Sequence, residues 1–278
     1  MKKPENLESL SLAEGHVGAG GAYPPLGFKP VWEGELGNGD YYGLYWPYGR
    51  EDQDPIVCDM LHDEWGLEVC FSSVPIFLKW LELNDGFRGD EEVDDPQLVS
   101  ARFRATRPLL QSQPDEAIPL LRAICSDFPE QAEYWFSLAG QLRRAGDPEG
   151  SAKAAIRAFA SNWVFGMPPN GTVRFLQQAQ SISSVADDPL IARSSELEMN
   201  FGGAKENPVY GVLQDCIAQY LASSDPLPGL LLNQNYGYMM LMETTSFQER
   251  AGFIVGDWLA EHSELCAKHL GDDRKTIS

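Results

Sequence analysis

Residues 36–48 read LGNGDYYGLYWPY, a turn sequence followed at once by a dense run of aromatic side chains. Asn38 and Gly39 both accept positive φ at little cost, and such pairs are favoured in tight β-hairpin turns. In the strand that follows, residues 42, 44 and 46 share one face while 41, 43 and 45 share the other. The segment therefore predicts a hairpin, and it leaves open whether its aromatics form a core or a binding surface.

The sequence on either side of this segment predicts a small α+β module. Short alternating runs around KPVWEGEL, PIVCDML and LEVCFSS are typical of strands, and the polar turns between them favour antiparallel pairing. An amphipathic helix follows, for which Ser72 or Ser73 is a candidate cap and Pro75 lies in the first turn. We assign this module to residues 1–88, with a loop-like stretch over its first ~30 residues, which are rich in Gly and Pro.

A second domain is predicted over residues 97–278, after an acidic, Gly-containing linker at 85–96. Its apolar residues recur with helical spacing, and short turn sequences such as GD, DP and DPLPG separate the helices. The predicted fold class is therefore α+β: a small antiparallel sheet module followed by an all-α helical domain.

Within the helical domain the sequence resembles the tetratricopeptide repeat, with a period of 34 residues over about 60 residues. Small and large apolar residues alternate as paired repeat helices require, and Gly146-Asp147 supplies the turn between them. The matching positions are Ala117, Leu121, Ile124, Pro129, Trp135, Leu138, Ala139, Leu142, Ser151, Ala155 and Ala158. The alternative is an ordinary helical bundle in which this spacing is accidental.

The N-terminal module resembles the SUKH superfamily, small α+β domains that are abundant among bacterial immunity proteins. The stretches that carry the resemblance are GNGDYYGLYW (37–46), PIVCDMLHDEW (55–65) and FSSVPIFLKWL (71–81). The family normally begins with a long helix and an L-P-x-x-[YF] segment, and neither is found before residue 37. Either the domain is truncated or the C-terminal helices supply the missing layer. The resemblance implies binding to a cognate toxin.

The charge of the chain constrains its partners. The net charge is −20, and residues 1–96 carry 20 Asp or Glu against 6 Lys or Arg. Nucleic acids and anionic membranes attract basic surfaces, so neither is an expected partner. A basic protein is the expected one. The chain has no apolar run of membrane-spanning length and no secretory signal, and its five cysteines are scattered, so a cytoplasmic location is expected.

Few residues suggest catalysis. The cluster His62-Asp63-Glu64 could act as a general base or contribute to a metal site, but no second ligand cluster accompanies it. His262, Cys266 and His269 share one helical face, which Cys266 also fits as an ordinary buried thiol. We expect no enzyme activity, no cofactor and no bound metal.

These patterns give three functional hypotheses. The first is an immunity protein that sequesters a toxin through an acidic and aromatic surface. Its candidate residues are Asp40, Tyr42, Trp46, Asp59, Asp63 and Glu64. The second is an adaptor or scaffold that binds peptides in the groove of the helical repeats. Its candidate residues are Tyr134, Gln141 and Arg144. The third is a metal-dependent enzyme centred on His62.

Overall fold

A computed structural model of the chain describes residues 1–5, 23–33, 39–86, 88–202, 207–271 and 274–275. Asn38 of the predicted turn pair and most of the predicted loop-like N-terminal stretch lie outside these ranges. Gly39 is described, and its φ of +90° is the left-handed conformation that the hairpin turn was expected to need.

Four strands form one antiparallel sheet in the order β1 (Phe28–Glu33), β2 (Tyr41–Tyr45), β3 (Ile56–Met60) and β4 (Glu68–Phe71). The register pairs Tyr45 with both Phe28 and Ile56, so β2 is an interior strand. Helix α1 (Val74–Leu83) follows β4 directly. Pro75 lies in its first turn as predicted, and Ser73 occupies the N-cap position, but the Ser73 side chain makes no capping hydrogen bond.

The rest of the described chain is helical, which confirms the predicted order of an antiparallel sheet followed by helices. The helices are α2 (Val99–Thr106), α3 (Leu109–Ser112), α4 (Pro114–Asp127), α5 (Ala132–Arg144), α6 (Pro148–Phe159), α7 (Gly171–Ala179), α8 (Pro189–Ala192), α9 (Val209–Leu221), α10 (Leu227–Leu241), α11 (Thr245–Ala251) and α12 (Val255–Leu270). Short 3₁₀ turns at Trp163–Phe165 and Ser194–Glu196 complete the described structure.

Both faces of the sheet are covered. On one face, Leu44 and Trp46 pack with Phe77 and Trp80 of α1 in a small aromatic core. On the other face, Tyr41, Tyr45, Cys58, Met60 and Val69 join the large core of the helical region. The helices therefore cover the face of the sheet that α1 leaves open.

This coverage answers the question that the sequence left open for residues 41–48. Every aromatic side chain of the segment is buried, with at most 7% of its residue surface exposed. The residues are Tyr41, Tyr42, Tyr45, Trp46 and Tyr48. Period-two alternation distinguishes two strand faces but gives no information about what covers the second one, so the sequence could not decide between a core and a surface.

The carboxylate of Glu130 links the sheet to the helices. Its Oε2 accepts from the hydroxyl of Tyr45 at 2.6 Å and from Nδ2 of Asn162 at 2.9 Å. Its Oε1 accepts from the backbone N–H of Tyr48 at 2.5 Å. Burial raises the pKa of the Glu130 carboxyl, while the guanidinium of Arg274 and these three donors act in the opposite direction.

A buried hydrogen-bond chain crosses the helical core around His262. Trp258 Nε1 donates to Oδ1 of Asn233, whose Nδ2 lies 3.0 Å from His262 Nδ1. Burial lowers the pKa of His262 to about 3, so the ring is neutral and Nδ1 accepts that bond. The remaining proton on Nε2 is then donated to Tyr48 Oη at 2.8 Å, and Tyr48 donates to Gln234. His262 and Cys266, which share a helical face with His269, therefore lie beside each other in a polar chain of the core.

Arg274, near the C-terminus, is fully buried against the N-terminal module. Its guanidinium donates to the carbonyls of Leu26 and Trp46, forms an ion pair with Glu51 and lies 3.9 Å from the ring centre of Tyr48. A Cβ added to Gly27, whose φ is +97°, would lie 2.2 Å from this guanidinium. The two ends of the described chain therefore pack as one unit.

We predict that Glu130→Ala lowers the free energy of unfolding by about 3 kcal/mol or more, because three buried donors lose their acceptor and each costs roughly 1–3 kcal/mol. Chemical denaturation of the purified variant measures this loss. Glu133→Ala is the control, since it removes a half-exposed partner of Arg107 and should cost at most about 1 kcal/mol. Equal losses in the two variants would contradict the central role of Glu130.

Candidate functional site

The turn between β3 and β4, residues 61–67, is the most distinctive exposed feature of the sheet module. The backbone N–H of Glu64 bonds to the carbonyl of Leu61, and the N–H of Gly66 bonds to that of Glu64. Asp40 holds the turn from the adjacent strand end, because its Oδ1 accepts from both the backbone N–H and Nδ1 of His62, at 2.9 and 2.8 Å. This compact turn brings Asp40 and His62 together.

Groups of the helical domain and the N-terminal segment fix the turn in place. The hydroxyl of Tyr23 donates to the carbonyl of Gly66 at 3.0 Å, and that of Tyr238 donates to the carbonyl of Trp65. The N–H of Leu67 bonds to the carbonyl of Val164 at 2.9 Å. The turn is therefore preorganised, which reduces the entropy lost when it binds a partner.

Trp65 projects from this turn with 48% of its surface exposed, the largest exposed aromatic group among the described residues. Its ring stacks on Tyr23 with 5.7 Å between ring centres. Asp63 and Glu64, directly before it, are exposed. We call Asp40, His62, Asp63, Glu64 and Trp65 the tip surface. An aromatic anchor with an acidic rim is a combination that suits a protein interface.

The six N-terminal candidates separate into three groups. Asp63 and Glu64 are exposed on the tip surface, and Asp40 lies there in its pair with His62. Asp59 forms a bidentate pair with Arg88, with both bonds at 2.8 Å, so it holds the loop after α1 to the sheet. Tyr42 and Trp46 are buried beneath α1, and their assignment to a binding surface is corrected for that reason.

The three candidates in the helical domain also have structural contacts. Tyr134 is 5% exposed and packs on Phe103, with 4.6 Å between ring centres. Gln141 is 7% exposed and accepts a bond from Arg144. Arg144 also donates to the carbonyls of Leu110 and Gln111, which ties α5 to α3. Tyr134 and Gln141 are buried, which corrects their placement in an open groove. Arg144 is exposed and joins α5 to α3.

Sequence reasoning missed Trp65 as a site residue, although it noted the residue within the SUKH-like stretch. A signal was available. In HDEWG the tryptophan lies between two acids and a glycine in a predicted turn, where it has no strand face on which to pack. Its exposure nevertheless depends on how Tyr23 and Tyr238, which are distant in sequence, pack against the ring.

The described residues offer neither a metal-binding cluster nor a membrane-spanning helix. Across the residues that the structure describes, no three His, Cys, Asp or Glu side chains group in a way that could hold a metal ion. In that same part of the chain, no helix has both the length and the apolar character needed to cross a bilayer.

Comparison with known sequences places the chain in a family. Two family models match, the YfbP N-terminal domain over residues 14–90 and the YfbP C-terminal domain over residues 200–278. A protein of Escherichia coli (strain K12), described as "Uncharacterized protein YfbP", is 41% identical over 259 residues, which cover 91% of this chain and 92% of the relative. This chain belongs to the YfbP family. No solved structure matches it.

The two YfbP matches correspond to recognisable parts of the fold. The N-terminal match contains the sheet, the tip surface and α1. The C-terminal match contains α9 to α12, and with them His262, Tyr238 and Arg274. Because Tyr238 and Arg274 contact the sheet module directly, the two YfbP domains share an interface in this chain.

The pair between His62 and Asp40 gives a prediction about pH. The hydrogen bond that His62 Nδ1 donates to the Asp40 carboxylate raises the pKa of His62 above its ordinary value of 6.5. A raised pKa in the folded state means that the pair stabilises the turn below that ordinary value, and that this contribution is lost as the pH rises through the raised pKa.

We expect an NMR titration of the wild type to place the pKa of His62 above 6.5. In the Asp40→Asn variant, the pKa of His62 should lie closer to 6.5. His262 is an internal reference, since its pKa of about 3 keeps it neutral between pH 5 and 9. A pKa of His62 that does not change in the variant would show that Asp40 is not its partner in solution.

Proposed function

We propose that this YfbP-family protein is a non-catalytic binding protein that docks a basic protein partner on its tip surface. The observation that carries the proposal is the half-exposed Trp65, held on a preorganised turn beside two exposed carboxylates. Tryptophan at the centre of an interface commonly supplies a large share of the binding energy. Acidic residues around it favour a partner of opposite charge and exclude partners of like charge.

The charge distribution supports this choice of partner. Residues 1–96 have a net charge of −14, obtained from 20 acidic and 6 basic residues. A field of this sign accelerates encounter with a basic surface, and its effect weakens as salt concentration rises. The mechanism is steric and electrostatic occlusion, in which the tip surface covers a basic region that the partner needs for its own activity.

The partner that this chemistry fits best is a toxin domain with a basic active-site face. This proposal rests on the resemblance of the sheet module to the SUKH superfamily, in which immunity proteins are abundant. A toxin that acts inside the cell requires its immunity protein in the same compartment. We therefore place the protein in the cytoplasm, where its five cysteines would stay reduced; all five are free in the structure.

The adaptor hypothesis is the second candidate, and an open groove among the helices favours it. Residues other than Tyr134, Gln141 and Arg144 line that groove. The third hypothesis, an enzyme centred on His62, stays a hypothesis. The observation that would support it is a metal bound at the tip surface.

The test is affinity capture from the native cytosol. Two double charge reversals and one side-chain truncation are compared with the wild type. We expect the wild type to retain one stoichiometric basic partner. Asp63→Lys/Glu64→Lys should lose it, and Trp65→Ala should bind it at least about 30-fold more weakly, the effect of a hot-spot tryptophan. Glu91→Lys/Glu92→Lys makes the same charge change in another exposed loop and should bind normally.

Two outcomes decide between the alternatives. A partner that binds both tip variants as tightly as the wild type would rule out the tip surface. Expression of the captured partner alone should arrest growth if it is a toxin, and co-expression of the wild type, but not of Asp63→Lys/Glu64→Lys, should restore growth. A harmless partner would refute the immunity assignment and leave a binding protein of another kind.

A further inference from the structure

An open groove with two lobes runs among helices α4, α5, α6, α9 and α10, and the lobes have volumes of about 550 and 450 Å³. One lobe lies between α6 and the turn from α9 to α10. The other reaches the loop after β2. Four residues line both lobes and so mark the place where the lobes meet: Arg122, Trp135, Leu138 and Arg157. We call this place the waist of the groove.

The floor of the groove is apolar. Trp135 is half-buried, and its Nε1 donates to the carbonyl of Pro129 at 2.8 Å, which fixes the indole in place. Leu142 and Ile156 extend the floor into the first lobe, and Leu227 and Leu231 extend it into the second. Each lobe can therefore accept an apolar side chain against a surface that is already ordered.

Four basic side chains line the groove, although the protein as a whole has 41 acidic and only 21 basic residues. They are Arg50, Arg122, Lys153 and Arg157. Three of them have partners: Arg50 donates to the carbonyls of Ser126 and Asp127, Lys153 pairs with Glu149 at 2.6 Å, and Arg157 pairs with Asp225. Arg122 is exposed and forms no ion pair with any residue that the structure describes. Its unpaired guanidinium favours an anionic occupant and disfavours a basic one.

The acidic residues of the lining already have partners. Glu130 accepts its three buried bonds, and Asp188 accepts from the hydroxyl of Tyr220 and from backbone N–H groups at the start of α8. Asp225 pairs with Arg157 at 2.7 Å. They do not neutralise Arg122, so the waist retains positive charge for a ligand.

We propose that this groove binds an extended acidic segment of a partner protein. One carboxylate of the segment binds at the waist beside Arg122 and Arg157, and apolar side chains on either side of it enter the two lobes. An extended chain matches this arrangement because its side chains are regularly spaced along one line. The inference concerns a different surface and an oppositely charged partner, so it stands independently of the tip surface.

The first test uses synthetic peptides of about ten residues, with binding measured by fluorescence anisotropy. A peptide of alternating Leu and Glu should bind, while peptides of alternating Leu and Lys, or Ser and Glu, should bind at least about tenfold more weakly. Arg122→Glu/Arg157→Glu should weaken the Leu/Glu peptide by about tenfold or more. Arg250→Glu/Lys268→Glu, the same charge change at exposed positions outside the groove, should have no effect.

Arg157 has a structural pair with Asp225, so the single variant Arg122→Glu, at an exposed position without an ion pair, is measured as well. It should weaken binding in the same direction with an unchanged melting temperature. A carbodiimide, which joins carboxylates to amines, should couple the bound peptide to Lys153, and mass spectrometry locates that bond.

Three results would overturn the proposal. One is equal binding by Arg122→Glu and the wild type, and another is coupling to lysines outside the groove only. The third is binding of a fatty acid such as dodecanoate with no binding of any acidic peptide, which would make the groove a site for small amphiphilic anions.

Discussion

The carboxylate of Glu130 is the contact on which the relation between sheet and helices depends. It receives a hydroxyl from the last residue of β2, a backbone N–H from the loop that follows, and a side-chain amide from the turn after α6. These donors cannot bond to bulk water in place of the carboxylate, because the site is buried. The sheet can therefore occupy only the position in which all three reach the same two oxygens, and the cores on its two faces follow from that position.

Because both faces of the sheet are covered, the module can meet partners only through its turns and edges. This is why the exposed aromatic group lies on the turn between β3 and β4 and not on a strand. The second available surface is the groove around Trp135, which belongs to the helices. The two surfaces differ in charge: the tip surface carries carboxylates, and the groove carries arginines and a lysine. The two proposals therefore call for partners of opposite charge that do not compete for one surface.

The sequence predicted those features that depend on local chemistry. Gly39 has the positive φ that a hairpin turn needs, and α1 begins after Ser73 with Pro75 in its first turn, because turn and cap preferences are properties of a few neighbouring residues. The sequence failed where burial is set by distant segments. Tyr42 and Trp46 alternate as a half-exposed strand would, but the pattern of the strand does not show that the predicted helix α1 covers their face. Gln141 has the polarity of a groove residue, and it too is buried. Trp65 is the reverse case, since an aromatic side chain usually indicates a core and this one remains half-exposed.

The insertion of Arg274 into the N-terminal module makes the closure of that module a non-local event. The guanidinium that binds Leu26, Trp46 and Glu51 lies 223 to 248 residues further along the chain than these partners. Contacts between residues so far apart close a long loop, and such contacts slow folding. The two carbonyls and the carboxylate therefore lack this donor until the C-terminal helices have folded against the sheet, and the first domain reaches its final packing only together with the second.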